Sequence, residues 1–561
     1  SVLSFGVANA IRYSHKLPPK PAEPIVLDTA AANESAIEED ILLQKGSQDD
    51  DEPEATPLDS LSREKTLQAR VDEWLRKPYI NKALWGIRVE QLGSRKIVYD
   101  RSGDKPLIPA SNMKLFTACA AFEKLGGEFR FRTAFVASKP LDNKGVLNGN
   151  LQIIGSGDPT LSRIFHDEAL SQLLGGWADS LIARGLKKIT GRVEVPEIFW
   201  AEGGPAPGWE WNDLAESYAA FPDIVAMNDN CFDLLVDAAD QIGDTARYLI
   251  DPEVLQGADD FSFEAITTPP KTKASLEIIP SFWTGQWRVI GSIPIAARQS
   301  RRRVTIRNPR EVWRRTMESV LKAKGVQIGV VQKKGRKSAG LDFGMDAEAA
   351  EVSSTLFPDT LWVAESLPVK RIVKEVLKRS HNLSAEHLFR TVGYYDSEVW
   401  SNESGRSAVT NLMRQWGLDT KTFTISDGSG LGRASNIPPE VFTQLLDIAT
   451  TKPWFNEFYE ELPEAGEPQT TMQKRKLKLP DNVSIKAKTG TLNKVSTLSG
   501  YITSPSDTLT FSILCNHWYG NVRRVKEVQN GILTELAWSL SEQGPRIKLD
   551  PSVPDRFPIK K

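Results

Sequence analysis

Three regimes of hydrophobic patterning divide the chain. From about Lys16 to Ser60 there is little apolar periodicity, only Pro, Ala, Glu and the acidic run Asp49-Asp50-Asp51-Glu52. Such a stretch cannot bury enough apolar surface to order itself and reads as a linker or tether. Periodicity begins near Leu61. Between Thr66 and Arg76, Leu67, Val71 and Leu75 share one helical face. WGIRVEQLGSRKIVYD then alternates as two strands around a Leu-Gly-Ser turn. Pro109-Ala110 leads into an apolar run, LFTACAAFEKLG, that ends in Gly126-Gly127. That pattern predicts a helix starting at or near Ser111 and closed by glycine.

From about Arg132 to Asp359 the pattern changes to many short strand-like runs (TAFVAS, NLQIIG, SLEIIP, WRVIG, RVTIR) with shorter helical pieces. Helical spacing returns at VKRIVKEVLKRS, SAEHLFRTVGYY and VFTQLLDIATT, and KAKTGTLN, STLSGYIT and TLTFSILCNHW read as adjacent antiparallel strands. The expected fold class is α/β (α+β), a helical domain with a terminal antiparallel sheet, interrupted by an insertion. Its expected bounds are 61–131 with 360–545 for the discontinuous domain and 132–359 for the insertion, with tails at 1–60 and 546–561.

Composition narrows the function classes. The 561 residues exceed one hydrophobic core. A net charge of −2 gives no reason to expect nucleic acid as the partner. The basic run Arg298, Arg301, Arg302, Arg303, Arg307, Arg310 is expected to be a solvated face. Cys119, Cys231 and Cys515 make no disulfide framework, and Cys119 and Cys515 read as small buried residues. The five histidines lack ligand spacing, so neither a metal nor another cofactor is expected. No stretch has the length and apolarity of a transmembrane segment. Ala8-Asn9-Ala10 resembles a signal-peptidase site, so the first residues read as an export-signal remnant or an ordinary disordered end.

The chemistry lies in three separated patterns: Ser111-Asn112-Met113-Lys114, Ser380-His381-Asn382 and Lys488-Thr489-Gly490. In that order they are the parts of a serine acyl-transfer site that uses lysine as base. On a helix, Ser111 and Lys114 share a face, roughly 5–6 Å apart at their β-carbons. Lys114 can accept the serine proton only if its pKa falls from about 10.4, and burial or a second cation such as Lys488 lowers it. Ser380 can relay a proton, and Asn382 can orient Lys114 and hold a substrate amide. Alternatively, Ser380 caps the next helix. His381 between them is read as a bystander. Lys488 and Thr489 suit a substrate carboxylate, and Gly490 lets a substrate backbone come close. The N–H groups of Thr491 and Ser111 can form an oxyanion hole. Asp427-Gly428-Ser429-Gly430 lacks the first glycine of a nucleophile elbow, and the glycines there lack the context of a nucleotide loop.

With PLIPASNMKLFTACAA, GSGDPTLS, PGWEWNDL, MNDNCFDLLV, SHNLSAEHLFR, SDGSGLGR, LPEAGE and KAKTGTLNKVSTLSGYI, the chain resembles the S13 peptidases from about residue 60 to 540. These are class C low-molecular-mass penicillin-binding proteins acting as D-alanyl-D-alanine carboxypeptidases and endopeptidases. The resemblance implies a penicillin-binding/β-lactamase-like transpeptidase domain, with two inserted domains, one nested in the other. It implies an exported enzyme on the periplasmic or envelope side, acting on peptidoglycan stem peptides through an acyl-enzyme on Ser111, with β-lactams as covalent inhibitors. Lys114 would be the base, Ser380 and Asn382 would transfer protons and position, and Lys488 and Thr489 would hold the terminal carboxylate. Asp213 and Tyr218 match residues that grip a diamino-acid side chain, and Arg433 matches the Arg after the DGSGL loop. Asp213 is equally open to a helix-cap role. His381 replaces the usual Asp, and Asn493 stands where some members have Gln. A β-lactamase and a non-catalytic peptidoglycan-binding protein are the alternatives.

Overall fold

A computed structural model describes residues 66–197, 201–255, 261–280, 287–329 and 360–541. The expected tails, with the acidic run and Ala8-Asn9-Ala10, lie outside the described residues.

The site is organised by a five-stranded antiparallel sheet drawn from both ends of the chain. Its order is Ser484–Leu492, Val495–Thr503, Thr508–Asn516, Leu84–Gln91, Ile97–Arg101. Alternation along these strands gives each face its own core. On one face Ile485, Leu498, Ile513 and Val89 pack with Leu67, Val71 and Trp74 of the helix Leu67–Leu75 and with Ile532 and Leu536 of the helix Val522–Ser539. The first of these helices is capped by Thr66, whose hydroxyl accepts from the Ala69 N–H at 3.3 Å. On the other face Tyr501 and Leu514 join the helices Met113–Lys124, Val369–Lys378, Asn382–Ser397 and Pro439–Ala449. Phe116 and Phe442 meet edge to face there, 5.3 Å apart.

The intervening segment builds its own core. Phe135, Ile153, Leu174, Phe232, Trp287, Trp313 and Met317 belong to one buried cluster. It lies between small sheets and the helices Leu170–Ala183 and Pro309–Ala323. The chain enters this lobe on the strand Arg132–Ala137 and leaves it on Thr360–Glu365, and the two pair antiparallel. Entry and exit side by side let a long insertion leave a helical domain without separating its halves.

The basic run departs from expectation. Ser300–Thr305 pairs with Cys231–Asp237, which sets its arginines beside carboxylates. Arg301 donates to Asp233 at 2.6 Å, Arg303 to Asp229 at 2.8 Å and Arg310 to Asp223 at 2.8 Å. Arg303 and Arg310 are therefore internal ties of the insertion, whereas Arg301 pairs with Asp233 while its side chain stays 43% exposed. All three cysteines are buried.

Candidate active site

Ser111 sits in a short 3-10 turn, Ala110–Asn112, that runs directly into the helix Met113–Lys124. The turn is built under tension. Ala110 has φ of 46°, and Gly430 (φ 76°) packs so closely that a β-carbon there would stand 1.9 Å from the Ala110 carbonyl oxygen. Only glycine permits that approach, and strained backbone of this kind collects at functional sites. On the other side a β-carbon on Gly490 would stand 2.9 Å from the Ser111 nitrogen and 2.2 Å from Thr497 Oγ1. The edge strand is thus pressed against the nucleophile turn, and Thr497 on the neighbouring strand Val495–Thr503 fastens that turn by donating to the Pro109 carbonyl at 2.8 Å. Asn112, oriented so that both ends of its amide are satisfied, donates to the Lys488 carbonyl at 2.9 Å and accepts from the Ser499 N–H at 3.2 Å.

All three patterns meet here. Lys114 Nζ lies 3.1 Å from Ser111 Oγ, 2.5 Å from Asn382 Oδ1 and 2.7 Å from the Ser429 carbonyl. Lys488 Nζ donates to Ser380 Oγ at 2.9 Å and to the Thr489 carbonyl at 2.8 Å. Both lysines are fully buried, while Ser111, Ser380, Asn382, Thr489 and Thr491 keep partial exposure. Ser380 joins two helices with φ of 62°, and the helix after it starts at Asn382 with His381 as its N-cap. Ser380 is therefore a turn residue facing Lys488, not the cap. His381 turns away from the lysines. Its Nδ1 lies 2.7 Å from Ser384 Oγ and its Nε2 3.5 Å from Asp229 Oδ1.

Burial governs both amines. Burial lowers Lys114 to about 7, against an upward pull from the Asp427 and Glu386 carboxylates. Lys488 is held well below the ordinary lysine range, by burial first and then by Lys114. Removal from water is the largest influence on both amines.

The insertion reaches the site through residues 204–218. The Tyr218 carbonyl accepts from Asn382 Nδ2 at 2.7 Å. Tyr218 Oη donates to Asp213 Oδ1 at 2.8 Å, so Asp213 serves a tyrosine rather than a helix cap. Burial raises Asp213, and burial with the Asp213 carboxylate raises Tyr218. Arg433 bridges the two lobes: it donates to the Asn493 carbonyl at 2.8 Å and pairs with Glu210 at 2.5 Å. Asn493 itself is exposed.

Sequence reasoning passed over Glu386, Asp427, Ser429, Trp209 and Glu210. The glycine-rich 427–430 loop, which fits neither a nucleophile elbow nor a nucleotide loop, sets the Ser429 carbonyl on the buried amine. Glu386 carried a legible signal, since it lies one helical turn beyond Asn382 on the same face. Among the described residues no cluster of three or more His, Cys, Asp or Glu can hold a metal ion.

A buried lysine against a partly exposed serine, beside an edge strand of an antiparallel sheet, defines a serine acyl-transferase of the penicillin-binding class. Comparison with known proteins agrees. Residues 67–536 match the D-Ala-D-Ala carboxypeptidase 3 (S13) family, and the chain belongs to it. It is a serine-type D,D-peptidase. It is 27% identical over 490 residues to a D-alanyl-D-alanine carboxypeptidase of Actinomadura sp. (strain R39), covering 85% of this chain and 86% of that protein. To the D-alanyl-D-alanine carboxypeptidase DacB of Haemophilus influenzae it is 24% identical over 423 residues, covering 75% and 82%. The crystal structure of penicillin binding protein 4 from Haemophilus influenzae shares the fold, with a TM-score of 0.69 at 21% identity over 83% of this chain and 99% of that one.

Proposed function

We propose that this chain cleaves the D-Ala-D-Ala terminus of peptidoglycan stem peptides through an acyl-enzyme on Ser111, and that it also opens D-Ala–diamino acid cross-links. The observation that carries this reading is the 3.1 Å contact between Ser111 Oγ and a lysine amine that burial brings to about 7. Near neutral pH a substantial fraction of Lys114 is unprotonated and can take the Ser111 proton as Oγ attacks the carbonyl carbon of the penultimate D-Ala. The oxyanion then lies toward the N–H groups of Ser111 and Thr491. Collapse of the tetrahedral adduct breaks the C–N bond, and the leaving nitrogen takes the proton from Lys114, with Ser380 within relay distance of Lys488. Water, deprotonated by the same amine, hydrolyses the ester. Asn382 orients Lys114. Holding a substrate amide as well would require its Nδ2 to exchange the Tyr218 carbonyl for the substrate.

Lys488 and Thr489 hold the terminal carboxylate, because a carboxylate favours the charged form of an amine that burial otherwise disfavours, and Gly490 lets the substrate backbone come close. Asp213 and Tyr218 receive the ammonium of the diamino acid. Arg433 and Asn493 border that pocket, with Glu210 already on the guanidinium. Peptidoglycan lies outside the cytoplasmic membrane, so the protein acts there, and export to the periplasmic or envelope side is the finer reading. Among the described residues no helix is long and apolar enough to cross a membrane. The catalytic domain combines 61–131 with 360–545, with two inserted domains between; the insertion's own core supports its separation from the catalytic part.

Incubation with a labelled penicillin followed by mass spectrometry tests the assignment. A stable adduct on Ser111 is expected, absent from a folded Ser111→Ala variant. Fast drug turnover points instead to a β-lactamase. Failure to acylate points to a binding protein, and unchanged D-alanine release by Ser111→Ala would sink the proposal.

A further inference from the structure

Glu386 is a charged side chain with no exposure at all, and the mechanism above does not use it. Its Oε1 accepts the N–H groups of Gly428 at 3.1 Å and Ser429 at 2.8 Å. The carbonyl of that same Ser429 accepts from Lys114 Nζ at 2.7 Å. One turn earlier on the same helix, Asn382 Oδ1 accepts from the same amine at 2.5 Å. A single helix face therefore grips Lys114 twice, directly through Asn382 and through a peptide unit held by Glu386.

We propose that Glu386 is a positioning residue for acylation, fixing the Ser429 carbonyl against Lys114 and sustaining the basicity of that amine with its negative charge. This rests on Lys114 being the base.

The surroundings leave Glu386 that part. Its own cation, Arg390, is one turn further on and reaches Oε2 only at 3.4 Å, while its Nη2 donates to the Gly204 carbonyl at 3.0 Å and its Nε is unpartnered. Asp427, the other carboxylate facing Lys114, is occupied by the N–H groups of Gly430 (2.8 Å) and Gly432 (2.6 Å) and by Trp209 Nε1 (2.9 Å). The remaining charged neighbours are Lys488 on the edge strand, and Asp223 and Glu202 of the insertion, which act on Arg390. His381 and His387 share the helix. Burial holds His387 neutral by lowering it to about 3. Burial, then Asp427, raises Glu386 to about 7, so it titrates in the range of Lys114. Two interacting groups in one range share protons as a unit.

The charge and the scaffold can be separated. Glu386→Gln keeps an acceptor oxygen for both N–H groups and removes the charge, whereas Glu386→Ala removes both. The measurement is the pH profile of acylation by a fluorescent penicillin, with the full chain. Without the carboxylate Lys114 becomes more acidic. Glu386→Gln should then move the acid limb about one unit toward lower pH. It should lower the plateau rate about 3- to 10-fold, because the base is weaker. Glu386→Ala should lose more than Glu386→Gln. A Glu386→Gln profile superimposed on the wild type overturns the proposal. Should Glu386→Gln not fold, infrared titration of buried carboxyl groups in wild type and Lys114→Ala replaces it. A carboxyl that stays protonated to higher pH in Lys114→Ala supports the coupling, and no movement overturns it. Normal acylation by Lys114→Ala would instead refute the base assignment, so the two failures are distinguishable.

Discussion

A lysine that works as a base at neutral pH is made by its surroundings. Lys114 lies one helical turn past Ser111, and the helix brings the pair within reach of each other whatever else the protein does. Its basicity is a different matter, because burial lowers the pKa to about 7 while Asp427 and Glu386 limit the fall. The sign of the pH dependence follows. The neutral amine is the reactive form, so its fraction rises with pH through about 7. The second-order rate of penicillin acylation should climb through that value and level off above it, measured by stopped-flow over several buffers. A rate independent of pH through that range would place the proton acceptor elsewhere. Ser111→Ala should lose acylation with its thermal transition unchanged.

Among the elements, the edge strand Ser484–Leu492 carries the demand for closeness. Gly490 lies against the Ser111 turn with no room for a β-carbon. Gly490→Ala must push the strand from the turn by a substantial part of an ångström. Displacements of that size at a reacting centre cost about 10²-fold. We expect acylation to slow by roughly 10- to 100-fold, with the circular dichroism spectrum preserved, because the strand keeps its ladder to Val495–Thr503. A variant acylating at the wild-type rate would mean that the close approach has no catalytic consequence. The two strands were legible from alternation in KAKTGTLN and STLSGYIT, as was the helix after Ser111. The Gly430–Ala110 contact was not, since it joins residues 320 positions apart by sequence number and leaves no periodic trace.

For the molecule as a whole, the insertion is part of the site. It supplies the Tyr218 carbonyl to Asn382, Trp209 to Asp427 and Glu210 to Arg433. On the proposed function, substrate choice belongs to the lobe that carries none of the three catalytic patterns. Asp213→Ala should lower kcat/KM about 10-fold for stem peptides bearing a free ammonium on the diamino acid, a loss typical of one charge-assisted contact. Penicillin lacks that ammonium and should acylate at nearly the same rate. Equal losses with both would show that Asp213 supports the fold rather than the specificity. His381 shows why such reach is hard to read in advance. Its position between Ser380 and Asn382 suggests the cleft, yet its ring faces Asp229 of the insertion.

The linear chain determined the helix and strand periods, the helical neighbourhood of Ser111 and Lys114, and the identity of three catalytic segments, because each depends on spacings of a few residues. Tertiary structure decided which groups share one low-dielectric volume. Only folding could bury Lys114, set Glu386 and Asp427 beside it, place the Ser429 carbonyl on it and turn Arg301, Arg303 and Arg310 onto carboxylates. Desolvation and Coulomb energy depend on distances in space, which residue order along a chain does not contain.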